Sequence, residues 1–360
     1  MKTNQSLTVP PFMVFFLIHS MQVGVGVLGF QRVIAKSGGY QSWIAVLFTG
    51  LLIHLVVYFM YKILDGEKDI AHVHEKLFGK WLGSLLNIVF MLYYAALAFT
   101  VLRTYTEVIQ IWVFPDLPTW TFTLTMLFLM YLAIVNGFRV VTGVCFLGVV
   151  LPMPLLLTTL PLSEFAEFRY LRPLFDTTIR EQLMATKDMT LSVLGPELLL
   201  IFYPFIRNAA KSQRYAHYAV LYTTFIYLVA TISAFVYFSE EQMEITIWPT
   251  LSSWKVLELP FIERFEYIGI SAWLIVILPN ITVGLWASSR IGKRVFSMKH
   301  RHTLIISILI VFIASILLET RDQINQLNSI VSIVGLYVLY VYIPFLLVWK
   351  WIVGRLRLSP

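Results

Sequence analysis

Ten apolar runs, each close to the length that crosses a bilayer, follow one another along this 360-residue chain with no long polar domain between them. A helix needs roughly 20 apolar residues to span the hydrocarbon layer. On that measure the runs cover about 11–34, 41–61, 84–112, 119–136, 142–161, 188–206, 216–239, 265–288, 303–319 and 330–352. Inside lipid a chain must satisfy its own peptide groups, and for runs of this length that means helices. Composition agrees, with 58% hydrophobic and only 13% charged residues and a mean hydropathy of +0.77, far from the balance of a soluble domain. The prediction is an all-α integral membrane protein of ten transmembrane helices, a single transmembrane domain over 1–360, with polar loops at about 62–83, 162–187 and 240–264. The first run follows only one basic residue, Lys2, and lacks a small-residue cleavage pattern. It is expected to be a retained span rather than a signal peptide.

Charge orients the array. Lys2, the connection at 62–80, Arg139, the connections at 207–214 and 290–301, and the tail at 350–357 carry most of the 27 basic residues. The opposite side holds Arg32, Lys36, Arg169, Arg172, Arg180, Lys187, Lys255, Arg264 and Arg321. By the positive-inside rule both termini are cytoplasmic, as an even number of spans requires. The net charge of +7 is then a topology signal. No basic patch is interleaved with aromatics, which argues against nucleic acid as a partner and leaves the lipid bilayer. The single cysteine, Cys145, lies in an apolar run and is expected to pack as a small hydrophobe.

Two spans, the first and the sixth, are interrupted by residues that a lipid-buried helix avoids: Gly24-Val25-Gly26-Val27-Leu28-Gly29 and Leu194-Gly195-Pro196-Glu197. They occupy corresponding places in two five-span halves, about 11–161 and 188–352. Because the first span enters from the cytoplasm and the sixth from outside, the halves are inverted relative to each other. Paired breaks of this kind place unwound N–H and C=O groups near the bilayer midplane, where they can hold a small polar ligand. Gly24, Gly26 and Gly195 allow close backbone approach. Pro196 suits a first helical position, and an acid in the first turn complements the helix dipole. Glu197 therefore has two readings, a helix-start residue or a group that binds a ligand ammonium or carries a proton, since acids at membrane depth usually face a cavity.

Other polar residues at membrane depth are few. His19 and His54 are either hydrogen-bonded between helices or proton carriers. Arg103 and Glu107, four apart on one helix face, are expected to pair with each other. Tyr93 and Leu97, one turn apart, are placed to line a cavity beside the breaks. Pro279-Asn280 is expected to interrupt span eight, freeing a carbonyl and adding a side-chain amide. His72 and His74, among charged residues, read as a solvated face. Ligand-binding candidates are thus Gly24, Gly26, Tyr93, Leu97, Leu194, Gly195, Pro196, Glu197 and Asn280.

Enzyme signatures are missing. Gly24, Gly26 and Gly29 form a Gly-x-Gly-x-x-Gly string but follow no strand, so dinucleotide binding is not implied. No metal-ligand spacing occurs. A chain without catalytic residues, cofactor or metal is expected.

The chain resembles the endospore germination permeases, the integral-membrane B subunits of nutrient germinant receptors within the amino acid–polyamine–organocation superfamily. The resemblance rests on Gln22-Val23-Gly24-Val25-Gly26-Val27-Leu28, Gly79-Lys80-Trp81-Leu82-Gly83, Leu171-Arg172-Pro173, Gly195-Pro196-Glu197 with Pro204, Trp248-Pro249-Thr250, and Phe261-Ile262-Glu263-Arg264. Where the family commonly has Leu-Pro-Arg after the first break, this chain has Phe30-Gln31-Arg32. The resemblance implies a LeuT-like inverted repeat with broken helices 1 and 6. It further implies a small nutrient ligand, plausibly an amino acid, and action with an A-type membrane subunit and a C-type lipoprotein in the inner membrane of a spore. The alternatives are a proton-coupled amino-acid importer, although span five lacks the lysine that some superfamily members place there, and a component of a nutrient-gated ion channel.

Overall fold

A computed structural model describes residues 8–173, 176–257 and 263–356. Lys2, Arg357, Phe261 and Ile262, used in the topology and motif readings above, lie outside the described residues. Among the described residues every regular element is a helix, and one isolated parallel bridge joins Val9 to Ile206.

In chain order the structure begins with α1 (Met13–Gln22), a short 3-10 turn (Val25–Leu28), α2 (Phe30–Gly38), α3 (Trp43–Leu64) and α4 (Ile70–Trp112). It continues through α5 (Thr119–Val135), α6 (Phe138–Val150), α7 (Ile179–Asp188), α8 (Thr190–Val193) and α9 (Leu199–Phe202). The remainder is α10 (Gln213–Tyr237), two short helices α11 (Glu240–Ile245) and α12 (Pro249–Ser253), then α13 (Phe265–Val295), α14 (His300–Leu317), α15 (Arg321–Tyr337) and α16 (Ile343–Leu356). Among the described residues seven helical segments are long and apolar enough to cross a membrane, and three shorter apolar helices, Met13–Gln22, Thr119–Val135 and Pro196–Phe205, accompany them. Large apolar side chains such as Leu51, Leu221, Leu309 and Leu317 stand exposed along the outside of the bundle. A soluble protein would not leave so much of that surface bare, whereas lipid welcomes it.

The long pair α4 and α13 forms the centre. Gly284 on α13 has no side chain, and a Cβ there would lie 3.0 Å from both Ala98 Cβ and the Tyr94 carbonyl oxygen. The backbones therefore approach as closely as helices in membranes do where small residues face each other.

Five expectations change. The loop at 62–83 is mostly helical: α4 starts at Ile70 with Asp69 as its cap, and its first two turns fold back on the rest at Gly79, whose φ of 78° suits glycine. His74 is consequently buried rather than solvated, with Nδ1 2.7 Å from Asn87 Oδ1 and Nε2 2.8 Å from the Tyr342 hydroxyl. Only His72 remains at the charged rim, 3.5 Å from Glu67. Pro279 does not interrupt its span; α13 runs through it, as membrane helices tolerate when neighbours cover the freed carbonyl. Arg103 and Glu107 do not bond to each other: Glu107 pairs with Arg321, while Arg103 donates to the carbonyls of Leu318 (2.8 Å) and Glu319 (3.4 Å). Both bind the start of α15 to α4, a use that spacing within one helix does not reveal. The polar stretch at 162–187 likewise contains a helix, α7 (Ile179–Asp188), which starts with a Thr178–Glu181 capping box.

Replacing Gly284 by leucine forces apart the most central helix pair. The expected cost is about 1–3 kcal/mol, read as a lower Tm of the detergent-solubilised chain; an unchanged Tm would show that α4 and α13 are not held at this contact.

Candidate functional site

α1 stops at Gln22, Val23 is extended at φ −104°, ψ 111°, and the helical path resumes at Phe30 after the 3-10 turn Val25–Leu28. In the second half, α8 stops at Val193, Leu194 is extended, and Gly195 takes φ 123°, a left-handed value that a side chain would oppose. Pro196 then opens the turn Pro196–Leu198 at the position where its missing N–H costs nothing.

Freed peptide groups at these places need partners, and side chains from α13, α10 and α1 itself supply them. Asn280 on α13 donates from Nδ2 to the carbonyls of Ser20 (2.8 Å) and Met21 (3.1 Å). Trp273, also on α13, donates from Nε1 to the Gly24 carbonyl at 3.2 Å. The Tyr227 hydroxyl of α10 lies 2.8 Å from the Gln22 carbonyl and 2.6 Å from that of Ser192, touching both breaks at once. Gln22 itself reaches across to the Val193 carbonyl at 3.3 Å. The two interruptions are in direct contact: a Cβ on Gly195 would fall 2.5 Å from Met21 Cβ, and one on Gly26 3.0 Å from Ser192 Oγ.

Glu197 is fully buried. One carboxylate oxygen accepts the Gly195 N–H at 2.8 Å, and the other accepts the Tyr93 hydroxyl on α4 at 2.6 Å. The neighbouring Tyr94 hydroxyl donates to the Glu197 carbonyl at 3.0 Å. The carboxylate thus closes the backbone turn that starts the second half-helix and ties it to α4.

A cavity of about 1010 Å³ reaches the junction of the breaks. Its inner wall includes Met21, Val25, Gly26, Ser192 and Leu194 from the two interruptions, together with Leu97 and Asn280. Towards its mouth stand Arg32, Lys36, Lys187, Glu244 and Arg321, on the side predicted to be extracellular. Of the residues singled out from the sequence, Gly26, Leu97, Leu194 and Asn280 line this cavity. Gly24, Tyr93, Gly195, Pro196 and Glu197 lie behind that wall, where they shape the backbone that forms it. A Cβ on Gly24 would sit 3.1 Å from both polar atoms of the Asn280 amide, so this glycine holds the amide in place without meeting the cavity.

The structure also brings in residues that sequence reasoning missed. Asn325, Asn328, Ser329 and Ser332 on α15 and Thr100 and Thr104 on α4 line the same cavity. The signal was present: positions 325, 328, 329 and 332 share one helical face, the spacing of an amphipathic stripe. His19 and His54 are elsewhere. His19 Nδ1 is 2.8 Å from Thr223 Oγ1, beside a smaller, mostly apolar crevice of about 90 Å³, and His54 Nδ1 lies 2.9 Å from His217 Nδ1 between α3 and α10. Among the described residues no cluster of three or more His, Cys, Asp or Glu is arranged to hold a metal ion.

Comparison with known proteins gives the family. A family described as "Spore germination protein" matches residues 8–324. The chain is 41% identical over 339 residues to the spore germination protein GerQB of Bacillus cereus, covering 94% of each chain. It is 22% identical over 316 residues to spore germination protein A2 of Bacillus subtilis (strain 168), covering 86% of each. Among solved structures it resembles MhsT in complex with L-phenylalanine, with a TM-score of 0.66 at 15% identity, covering 92% of this chain and 87% of that one. It also resembles a substrate-bound, Na+-coupled sialic acid symporter, with a TM-score of 0.67 at 14% identity, covering 93% and 79%. At such identities the likeness carries the fold alone, a LeuT-like membrane architecture. With the family match across most of its length, this chain belongs to the spore germination permeases, multi-pass proteins of the membrane.

Proposed function

We propose that this chain is the nutrient-binding membrane subunit of a germinant receptor. It would hold a small nutrient, an amino acid in the first instance, where the two interruptions meet, and signal by a change of conformation. The observation that carries the reading is a cavity that ends on two contacting helix breaks and on a buried side-chain acceptor without a partner, Asn280 Oδ1. Seven long apolar segments and three shorter apolar helices support a ten-span count. The contact of Met21 with Gly195 supports pairing the first span with the sixth in a 5+5 inverted repeat. The charge distribution supports cytoplasmic termini. Partners of the A-type and C-type, and a place in the spore's inner membrane, follow from the family resemblance.

The chemistry is as follows. A ligand carboxylate accepts N–H groups of the unwound stretch at Val25 and Gly26, which line the cavity. The ligand ammonium donates to Asn280 Oδ1, an acceptor left without a partner because Nδ2 takes the two carbonyls, once a small shift of the wall uncovers it. Glu197 is not the ammonium's first partner, because both of its oxygens are occupied inside the wall. It acts as a positioning residue for the second break. Signalling then needs only that the ligand bind one conformation of the bundle better than another.

One observation favours a second reading. Glu197 is a buried carboxylate bonded to a tyrosine rather than to a cation, an arrangement that suits proton coupling in an importer. Accumulation of labelled amino acid against a gradient by the chain alone in vesicles would establish transport; binding without accumulation supports the receptor.

Gly24→Val would push the Asn280 amide away and is expected to weaken ligand binding and nutrient-triggered germination at least about tenfold at unchanged membrane abundance. Normal affinity in that variant refutes the site. Glu197→Gln replaces one accepting oxygen by a donor NH2, so the Gly195 N–H and the Tyr93 O–H no longer both find an acceptor there, and Tyr93→Phe removes the phenolic donor. Each should blunt the germination response, and the double variant should depart from additivity in thermal stability by about 0.5–3 kcal/mol. Strict additivity would show that the contact does not organise the break.

A further inference from the structure

The smaller crevice lies on the other side of the first interruption from the larger cavity. Val25, Gly26 and Gly29 line the larger cavity, whereas Val23 and Val27 line the crevice. The unwound stretch is therefore a partition one strand of backbone thick. Two hydrogen bonds hold it from behind, and both come from crevice residues: Trp273 Nε1 donates to the Gly24 carbonyl, and the Thr250 hydroxyl donates to that of Val27 at 2.9 Å. The rest of the lining includes Pro152, Met153 and Leu156 beyond the end of α6, and Ile226, Val229 and Ala230 on one face of α10. Met153 is exposed, and so are Leu151 and Leu157 on either side of it and Leu221 and Phe225 on α10. The crevice thus opens sideways, between two segments whose outer surfaces are themselves apolar. No carboxylate, ammonium or guanidinium lines it, and most of its polar groups are spent inside the protein. Thr158 donates to the Leu155 carbonyl and accepts Trp254 Nε1, Thr159 donates to the Leu156 carbonyl, and Ser253 to that of Thr250. His19 is held by Thr223. The hydroxyls of Tyr222 and Ser233 remain, the second one turn from the C-terminal end of α10.

We propose that this crevice binds the acyl chain of a bilayer lipid, and that the bound chain braces the first interruption from behind. At about 90 Å³ the crevice has several times the room that one water needs, yet walls of this kind offer water too few partners, and apolar cavities stay dry. Left empty, its lining forgoes dispersion contacts on one side. A hydrocarbon chain supplies them, and the bilayer presents such chains at the opening. A charged or strongly polar solute would give up its hydration here and find no opposite charge and few free hydrogen-bonding groups in return. The direction of the chain follows from the two remaining hydroxyls. Ser233, near the end of α10 predicted to face outward, stands at the level of the lipid's ester groups and can donate to an ester carbonyl. The tail then runs inward to Val23 and Val27. With that space filled, the unwound stretch cannot move back into the crevice, so the chain favours the conformation of the bundle in which the first break sits as it does here. Occupancy of the crevice does not depend on what the larger cavity holds.

The test uses the purified full chain in phosphatidylcholine nanodiscs doped with a phosphatidylcholine that carries a diazirine in the middle of its acyl chain. After irradiation, label is expected on the peptides covering 152–156 and 226–233 at a density several-fold above that on α14 around Leu309, an exposed surface that ordinary lipid bathes. Ala230→Phe places a ring in the crevice and should abolish the excess while labelling around Leu309 stays the same; Val229→Phe is the substitute where the first variant fails to accumulate. Label no denser in the crevice than on α14 overturns the site, and so does an excess that the ring does not remove. Hydrogen exchange tests the brace. Amides at 23–29 should exchange several-fold faster in a bile-salt detergent, which has no alkyl chain, than in the nanodiscs, and Ala230→Phe should keep them slow in both. Equal exchange of the unsubstituted chain in the two media, or no protection by the ring, refutes the brace.

Discussion

A peptide carbonyl released from a helix inside a bilayer has no water to bond, and every feature at the centre of this protein answers that constraint. Leaving it unmet costs several kcal/mol. The chain breaks two of its helices nonetheless, and the breaks persist because Asn280, Trp273, Tyr227 and Gln22 bring N–H and O–H donors to the carbonyls of Ser20, Met21, Gln22, Gly24, Ser192 and Val193. The donors come from α1, α10 and α13, so the position of those helices is set by the polar needs of the breaks as much as by apolar packing. In lipid the hydrophobic effect does little to choose between one helix neighbour and another, which leaves close backbone contact, as at Gly284, and these bonds to decide.

Glu197 shows the same logic applied to a charge-bearing group. Its carboxylate is enclosed, and its two oxygens accept one backbone and one phenolic donor. A single side chain thus begins a half-helix and fastens it to α4. The arrangement couples whatever happens at the second break to the longest helix of the protein. Near the C-terminal end of α4, Glu107 pairs with Arg321, and the guanidinium lies 5.1 Å from the Trp248 ring beside the cavity mouth. Two acids thus fasten α4 to different partners, Glu197 through Tyr93 near its middle and Glu107 near its C-terminal end.

Much of the architecture was legible in the sequence because lipid demands long apolar runs and leaves few alternatives. The two breaks were legible for the same reason, since Gly24, Gly26, Gly195 and Pro196 are conspicuous against valine and leucine. Tertiary partners were not. Nothing in the spacing of Arg103 and Glu107 reveals that each bonds to the far segment around residues 318–321, and nothing around His74 shows that a turn at Gly79 folds it inside. Pro279 misled because a proline's local effect on a helix is fixed but its tolerance depends on neighbours. The α15 face was the costliest oversight: four polar residues at helical spacing sit in a segment whose charged start at Arg321 and Asp322 makes it read as a loop edge.

The Tyr227 hydroxyl has one proton and stands within bonding distance of two carbonyls, one on each broken helix. That proton is either shared between the two as a three-centre bond or given to one of them. A slide of one break past the other then trades one acceptor for the other while the bond persists. The tyrosine is in effect a bearing between two discontinuous helices, a point at which they stay joined whichever carbonyl holds the proton.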